Sequence, residues 1–242
     1  MSSAVEKFDA EYSQKPAAEL SILALAGIPM VRPGDNIADH IVQGLAASGL
    51  ALQRGDVVVV AQKIVSKAEG RQVDLRTVSP SARAQALATE VDKDARLVEL
   101  ILRESTEVVR RRKGVLVVAH RCGYVLANAG IDASNVAGSD EHVLLLPEDC
   151  NRSCRDIRAL LAARTGTEAA VIIVDSLGRA WRIGTVGAAI GCAGLTVLLG
   201  GRAGKVLDHG AGVTDPGRLS KSPRGWSIEG KHPGGHDDHD TQ

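Results

Sequence analysis

A run of four valines, directly followed by polar residues, is the sequence feature that most constrains the fold. β-Branched side chains lose rotamer freedom in a helix and pack well on a pleated sheet, so we predict a buried strand over Val57–Ala61. Polar residues follow at its carboxyl end: Gln62, Lys63, Ser66 and Lys67. The two lysines could reach a phosphate group as point charges. Taken alone, each is better explained as a solvated surface charge.

Apolar runs and helical periodicities alternate along the rest of the chain. Aromatic residues make up only 2 % of the sequence, so the core must be built from Val, Leu, Ile and Ala. The other predicted strands are "LSILALAGI" (20–28), "GVLVVAH" (114–120), "GYVLANAG" (123–130), "EHVLLLPED" (141–149) and "AAVIIVDS" (169–176). The predicted helices are "IADHIVQGLAASG", capped by Asp35 or Asn36, most of the segment 81–111, and "NRSCRDIRALLAARTG", ended by Gly166. The alternation predicts a mixed α/β (α+β) fold, for which we favour two domains.

Charge and cysteine usage exclude several classes of protein. The 29 basic and 29 acidic residues balance and are scattered, which argues against a nucleic-acid partner. The four cysteines have no paired CxxC spacing, and no apolar run of signal-peptide or membrane length precedes the first turn. We therefore predict a cytoplasmic protein with reduced thiols and no membrane partner. Neither a Walker A motif nor a dinucleotide-binding fingerprint occurs, and the glycine-rich segment 184–194 favours close packing over phosphate binding.

Two acids from separate segments are the candidates for metal binding. Asp175 ends the most apolar strand, where open α/β sheets place ligands, and Ser176 adds a hydroxyl beside it. Two arginines, Arg179 and Arg182, follow in the same loop. Asp132, which lies in "NAGIDASN" among amide side chains, is the natural second acid. Oxygen ligands of this kind suit Mg²⁺ or Mn²⁺ carrying a phosphorylated ligand. Spacing alone leaves equally open the interpretation that both aspartates merely cap turns.

Six motifs together resemble one protein family. They are "GIPMVRPGDNI", "VVVVAQKIVSKAEGR", "LVELILRES", "NAGIDASNV", "LLLPED" and "VDSLGRAWRIGTVGAAIGCAGL". In order and spacing they resemble the coenzyme F420-0:L-glutamate ligases, also called F420 γ-glutamyl ligases, from about Leu20 to Leu198. The resemblance implies a mixed α/β fold with two subdomains and an intertwined homodimer.

The resemblance also implies an activity. These enzymes use GTP to join L-glutamate to the lactyl carboxylate of F420-0, and they then add γ-linked glutamates. An acyl phosphate is the expected intermediate, and Mn²⁺ or Mg²⁺ shields the triphosphate. Three alternatives stay open: a chain that binds metal and GTP without ligating, a ligase for a different carboxylate acceptor, and a plain metal- or nucleotide-binding module.

Residue roles follow from the same resemblance. Asp132 and Asp175 would be the catalytic metal ligands, with Ser176 standing where the family usually has threonine. The expected contacts to the guanine nucleotide are Ile28, Pro29, Met30, Val31, Gln62, Lys63, Lys67 and Asn135.

The resemblance ends near residue 199, which divides the chain into three parts. Residues 1–19 form a polar leader, 20–199 a ligase-like domain, and 200–242 a divergent tail that we expect to be poorly ordered. When the codons of the tail are shifted forward by one nucleotide, "DHGAG" permits T-T-E-Q-G and "HPGGH" permits I-P-V-V, both of which family members carry in this order. We therefore hypothesise that the tail is a frameshifted form of the family's C-terminal segment, which would remove metal contacts supplied by that loop.

Overall fold

The computed structural model describes residues 20–132, 141–178 and 183–195, and the backbone of residues 218–222 and 225–229. The helices are α1 (Ile37–Ala47), α2 (Gln62–Ala68), α3 (Ala82–Val91), α4 (Ala95–Arg103) and α5 (Cys150–Thr165). The strands are β1 (Val57–Ala61), β2 (Gln72–Asp74), β3 (Ser105–Arg112), β4 (Val115–His120), β5 (Val125–Ala127), β6 (His142–Leu144), β7 (Ala170–Gly178), β8 (Thr185–Ala193), β9 (Arg218–Ser222) and β10 (Gly225–Glu229). The mixed α+β prediction is confirmed.

A three-stranded sheet in the order β1-β7-β8 forms the first layer of the fold. β1 runs parallel to β7 from Val57, opposite Ala170, to Ala61, opposite Val174, and β8 pairs with β7 in the antiparallel direction. One face of this sheet packs against α1 and α5, where the largest group of buried apolar side chains lies. The prediction that β1 is buried holds for that face only. Val57 and Val59 on the other face are 43 % and 59 % exposed, because among the described residues the helices cover a single side.

A second sheet, β3-β4-β5, packs on α3 and α4. The predicted pairing of 114–120 with 123–130 is confirmed, since β4 and β5 are antiparallel neighbours. The helical prediction for 81–111 is right as far as Arg103 and wrong beyond it. Residues Ser105–Arg112 pair with β4 as a strand. Their serine, threonine and valine side chains favour a pleated surface once a partner strand is available, and this tertiary pairing overrides the helical periodicity.

The predicted strand over residues 20–28 is not present. This segment instead crosses α1 at Gly44, where an added Cβ would lie 2.7 Å from Ile28 Cδ1 and 3.2 Å from Leu25 Cβ. The Ala26 amide donates a hydrogen bond to the Ser48 hydroxyl rather than to a neighbouring strand. Close packing on α1, which its glycine makes possible, therefore accounts for Leu25 and Ile28. Leu20, Ile22 and Leu23 remain 65–87 % exposed.

Several local predictions are confirmed. Asn36 caps α1, and Gly166 ends α5 in a left-handed conformation with φ 70°. The cap of α5 is Asp149, a residue that was predicted to belong to the preceding strand segment. The glycine-rich segment 184–194 forms β8, in which Gly191 lies so close to Cys150 that a Cβ would stand 2.6 Å from the Cys150 carbonyl oxygen. Close packing therefore explains Gly191 and Gly194, whereas an added Cβ at Gly184 or Gly187 would meet no atom within 4 Å. Within the described residues, no helix is both long and apolar enough to cross a bilayer.

The predicted tail is described only as the backbone of the antiparallel pair β9 and β10, in which Ser222 lies opposite Gly225. The rest of residues 200–242, the 1–19 leader and the side chains that the frameshift hypothesis concerns lie outside the described residues.

Candidate metal and nucleotide site

The parallel pairing of β1 and β7 sets the position of the first site residues. β1 ends at Ala61, opposite Val174, and the chain enters α2 at the next residue. β7 was predicted to end at Asp175 but continues to Gly178, paired with β8 alone. Parallel strands present their carboxyl ends at one edge of a sheet. Lys63, in the first turn of α2, and Asp175 therefore stand at the same edge.

Asp132 reaches this edge through an unusual backbone turn. Asn128, Ala129 and Gly130 have consecutive positive φ angles of 51°, 54° and 66°. The left-handed conformation costs roughly 1–2 kcal/mol for a residue with a Cβ, whereas asparagine tolerates it better than most and glycine freely. The Asn128 carboxamide oxygen offsets part of the cost by accepting a hydrogen bond from the Leu116 amide at 3.1 Å. The "NAG" motif thus builds the turn that places Asp132, and Asn128 acts through structure.

The backbone of Asp132 is held in both directions by Leu144. The Asp132 amide donates to the Leu144 carbonyl at 3.0 Å, and the Leu144 amide donates to the Asp132 carbonyl at 2.8 Å. The next residue, Leu145, accepts a hydrogen bond from the side-chain amide of Gln62 at 3.4 Å. Gln62, which is 2 % exposed, also donates to the Ser66 hydroxyl at 2.6 Å. These bonds fix Asp132 relative to α2, the helix that carries Lys63.

Charges at the site are unbalanced. The Lys63 ammonium forms an ion pair with the Asp132 carboxylate. Burial raises the pKa of Asp175, and the nearby charge of Asp132 raises it further. Two groups lower this pKa: the Ser176 amide, which donates a hydrogen bond to Asp175 Oδ1 at 2.8 Å, and the charge of Lys63. The two carboxylates and the lysine therefore interact through space. Two acids share the charge of Lys63, and the net effect still disfavours ionised Asp175.

This donor set fits a divalent cation with an incomplete protein shell. No group of three or more His, Cys, Asp or Glu residues in the described ranges is arranged to hold a metal. Mg²⁺ and Mn²⁺ nevertheless take oxygen ligands, and Mg²⁺ commonly uses one or two carboxylates while keeping waters and substrate phosphates. Burial is the main cause of the raised pKa of Asp175, and the nearby charge of Asp132 adds to it. Asp132 and Asp175, with the Ser176 hydroxyl beside them, are suited to such an ion.

The remaining predicted nucleotide contacts lie on two neighbouring segments. The first is the extended segment Ile28–Val31, in which Pro29 and Met30 are exposed. It is tied to the end of α2 because the Gly34 amide donates to the Ala68 carbonyl at 2.8 Å. The second is α2 itself, where Lys67 lies in the last turn. Asn135, Arg179 and Arg182 lie outside the described residues.

Arg71 is a supporting residue that the sequence pattern did not reveal. Its Nε donates to the Leu146 carbonyl at 2.9 Å, and its Nη2 donates to Glu104 Oε2 at 2.9 Å. The Leu145 amide donates to the Arg71 carbonyl at 3.1 Å. Arg71 thereby braces the segment that holds Asp132. Its partner Glu104 lies 33 residues away in sequence, so spacing could not have identified the pair.

Comparison with known proteins gives one consistent result. The family model described as F420-0:Gamma-glutamyl ligase matches residues 27–221, past the boundary predicted at residue 199. The coenzyme F420:L-glutamate ligase of Methanothermobacter thermautotrophicus is 44 % identical over 179 residues, covering 74 % of this chain and 70 % of that protein. The protein of the same name from Methanopyrus kandleri is 41 % identical over 191 residues, with 78 % and 73 % covered. The one from Haloarcula marismortui is 40 % identical over 183 residues, with 73 % and 68 % covered. With most of its length matched in this way, the chain belongs to the F420-0:gamma-glutamyl ligase family.

Proposed function

We propose that this protein is a GTP-dependent ligase of coenzyme F420 biosynthesis, which joins L-glutamate to the lactyl carboxylate of F420-0 and then adds γ-linked glutamates. The support is membership of the family together with relatives named coenzyme F420:L-glutamate ligase. The observation that carries the proposal is the meeting of Asp132, Asp175 and Lys63 at one sheet edge. Two acids and a lysine at one place are suited to a metal-bound triphosphate.

The residues divide the work between metal and nucleotide. Asp132 and Asp175, with Ser176, would hold Mn²⁺ or Mg²⁺, which when bound neutralises charge on the triphosphate oxygens. Lys63 and Lys67 would contact the phosphates from α2. Ile28–Val31 and Asn135 would contact the rest of the nucleotide. The side chain of Gln62 is bonded to Ser66 and Leu145 inside the protein, so its contribution would come through its backbone.

The proposed reaction has two steps. An oxygen of the F420-0 carboxylate attacks the γ-phosphorus of GTP, the bond to the bridging oxygen breaks, and GDP leaves with the electron pair. The amine of L-glutamate then attacks the acyl carbon of the resulting acyl phosphate, loses a proton, and displaces inorganic phosphate. The two substrates that become joined, F420-0 and L-glutamate, are anionic at neutral pH. The lysines of α2 would offset the repulsion between these anions and the carboxylates of the site.

We also propose that the protein acts as a cytoplasmic homodimer. The support is the apolar surface at Val57 and Val59, which the described helices leave uncovered and a second copy could bury. Light scattering on the purified protein measures the mass in solution directly. A monomer at micromolar concentration would contradict this part of the proposal.

The activity is tested by incubating the protein with F420-0, L-glutamate, GTP and Mn²⁺, with mass spectrometry of the products. Glutamylated F420 that forms with GTP and is absent with ATP supports the proposal. A second chain, in which the hypothesised frame after residue 199 is restored, is the matched control for the tail. If that chain alone is active, the tail is disabling. If neither chain glutamylates F420-0 while a relative does, the acceptor assignment is wrong.

A further inference from the structure

We propose that Lys63 is a built-in counter-ion of the metal site, which holds the Asp132 carboxylate until a metal–nucleotide complex arrives and then turns to the nucleotide phosphates. This inference rests on the proposed function, because it assigns a regulation to the same site. Its consequence is that metal and nucleotide enter together, each improving the binding of the other.

The geometry places Lys63 on the oxygen that a metal would need. Its Nζ contacts Oδ2 of Asp132 directly, and its charge also acts on Asp175. A divalent cation and the ammonium carry charges of the same sign, so they compete for this oxygen. Binding of the ion to Asp132 therefore has to displace Lys63 or weaken the pair.

The surroundings hold the backbone of Lys63 while leaving its side chain room to move. Gln62 on one side and Ser66 one turn later are buried and bonded to each other, so α2 itself is anchored. The Lys63 side chain remains partly exposed. A lysine ammonium sits on a flexible four-carbon stem with freely turning donors. It can therefore leave Asp132 for a nearby anion without movement of the helix.

A phosphate group would supply that anion. Metal added alone must compete with Lys63 for Asp132. Metal added with nucleotide meets less competition, because the phosphates offer Lys63 a new partner. By linkage, the factor by which nucleotide tightens metal binding equals the factor by which metal tightens nucleotide binding. Lys63 would thus contribute to the coupling between two ligands that a simple acidic pair would bind more independently.

Lys63→Met tests the inference, with Mn²⁺ as the probe and calorimetry or the electron paramagnetic resonance of free Mn²⁺ as the readout. Without nucleotide, the variant should bind Mn²⁺ about tenfold more tightly than the wild type, and it should bind GDP in the presence of Mn²⁺ more weakly. The tightening of Mn²⁺ binding by GDP should be smaller in the variant. Opposite changes in the two affinities are expected only if Lys63 serves both anions.

Lys67→Met is the matched control, since it removes the same charge one turn later on the same helix. It should weaken GDP binding and leave the affinity for Mn²⁺ alone unchanged. Lys63→Arg keeps the positive charge and should bind Mn²⁺ no more tightly than the wild type. Thermal melting of each variant checks that the fold is retained.

Asp132→Asn separates the failure of this inference from failure of the proposed site. If Asp132→Asn weakens Mn²⁺ binding but Lys63→Met binds Mn²⁺ as the wild type does or more weakly, the role of Lys63 is wrong and the metal site stands. If Asp132→Asn binds Mn²⁺ as tightly as the wild type, the metal site itself is misplaced and the inference falls with it.

Discussion

Two charged clusters in this protein contain similar side chains but serve different roles. The buried cluster contains Glu104 with Arg71, His120 and Arg121; the open cluster contains Asp132 and Asp175 with Lys63. In the buried cluster two arginines surround Glu104, and the more exposed Glu148 also pairs with Arg71. Among the described residues of the open cluster, two acids face one lysine. In the part of the chain that the structure describes, Glu104 has two arginine partners, whereas Asp132 and Asp175 share the charge of Lys63. This difference indicates which cluster supports the fold and which is built to receive an ion.

The buried cluster is closed around one carboxylate oxygen. Glu104, 8 % exposed, accepts hydrogen bonds at Oε2 from Arg71 Nη2 at 2.9 Å and Arg121 Nε at 3.1 Å. The His120 ring accepts a hydrogen bond at Nδ1 from the Cys122 amide, which assigns its proton to Nε2, 3.6 Å from Glu104. Burial raises the pKa of Glu104, but the His120 contact and the two arginines outweigh burial and lower it to about 2.

The open cluster shifts its carboxyl pKa in the other direction. Burial and the neighbouring Asp132 raise the pKa of Asp175, and neither the Ser176 amide nor Lys63 cancels the rise. Ionisation of Asp175 is therefore less favourable in the folded protein than in the unfolded chain. The two clusters meet at the end of β6. There Arg71 donates a hydrogen bond to the Leu146 carbonyl, and Leu144 exchanges backbone hydrogen bonds with Asp132. A stable cluster therefore braces a destabilised one.

The largest expected effect comes from breaking the buried cluster. Glu104→Gln leaves two arginines without their shared carboxylate, and removing one partner of a buried ion pair costs about 3–5 kcal/mol of unfolding free energy. Chemical denaturation measures this loss. Glu107→Gln, on the exposed side of β3, is the control and should change stability by no more than about 0.5 kcal/mol. Equal stability of the two variants would mean that the Glu104 cluster is not the brace we describe.

Breaking the open cluster should damage activity instead of stability. Asp132→Asn and Asp175→Asn should each lower the proposed ligase activity by about 100- to 1,000-fold, because charge that neutralises the triphosphate is lost with the metal. The melting temperature of Asp175→Asn at neutral pH should match or exceed that of the wild type, since an unfavourable charge is removed. Asp156→Asn, exposed on α5, controls for the loss of any aspartate. Full activity of both site variants would remove the metal assignment.

Acidification should separate the clusters by sign, in protein freed of metal with a chelator. Glu104 has a lowered pKa, so its stabilisation is present above the unfolded-state value and disappears as pH falls towards about 2. Asp175 has a raised pKa, so its ionised form destabilises, and the penalty disappears as pH falls through that raised value. The stability gap between wild type and Glu104→Gln should therefore narrow below about pH 5. Any stability that Asp175→Asn gains over the wild type at pH 7 should vanish as the pH is lowered in the same way. If either stability difference grows on acidification, the sign assigned to that carboxylate is wrong.

The contrast also shows what the sequence could predict. The β1 strand, the Asn36 cap and the Gly166 stop were predictable, because each depends on residues adjacent in the chain. The site acids were predictable as candidates through their position after apolar runs. Their approach to each other followed from the family resemblance and not from spacing, since Asp132 and Asp175 lie on segments brought together by tertiary contacts.

Failures of prediction have the same origin. Residues 105–112 have side chains compatible with a helix or a strand, and the partner β4 decides between them. The end of the apolar run 20–28 crosses α1 at Gly44, where Leu25 and Ile28 pack, and no local pattern indicates this crossing. The Glu104 cluster joins side chains from three separate segments. Ion pairs between distant segments produce no periodic pattern in the sequence, so they are not predicted from it. A lysine that follows a strand, in contrast, is recognised directly.

The smallest expected effect tests the turn that brings Asp132 into the open cluster. Asn128→Gly keeps the left-handed conformation but loses the bond to the Leu116 amide, which should cost about 1 kcal/mol of unfolding free energy. Asn128→Ala loses the same bond and, unlike the glycine variant, keeps a Cβ in the left-handed conformation, so it should be about 1 kcal/mol less stable than Asn128→Gly. The two backbone hydrogen bonds between Asp132 and Leu144 should hold the carboxylate in place. The Mn²⁺ affinity should therefore change far less than in Asp132→Asn. If Asn128→Gly loses Mn²⁺ binding as completely as Asp132→Asn, then the turn itself positions the acid and the Leu144 contact is secondary.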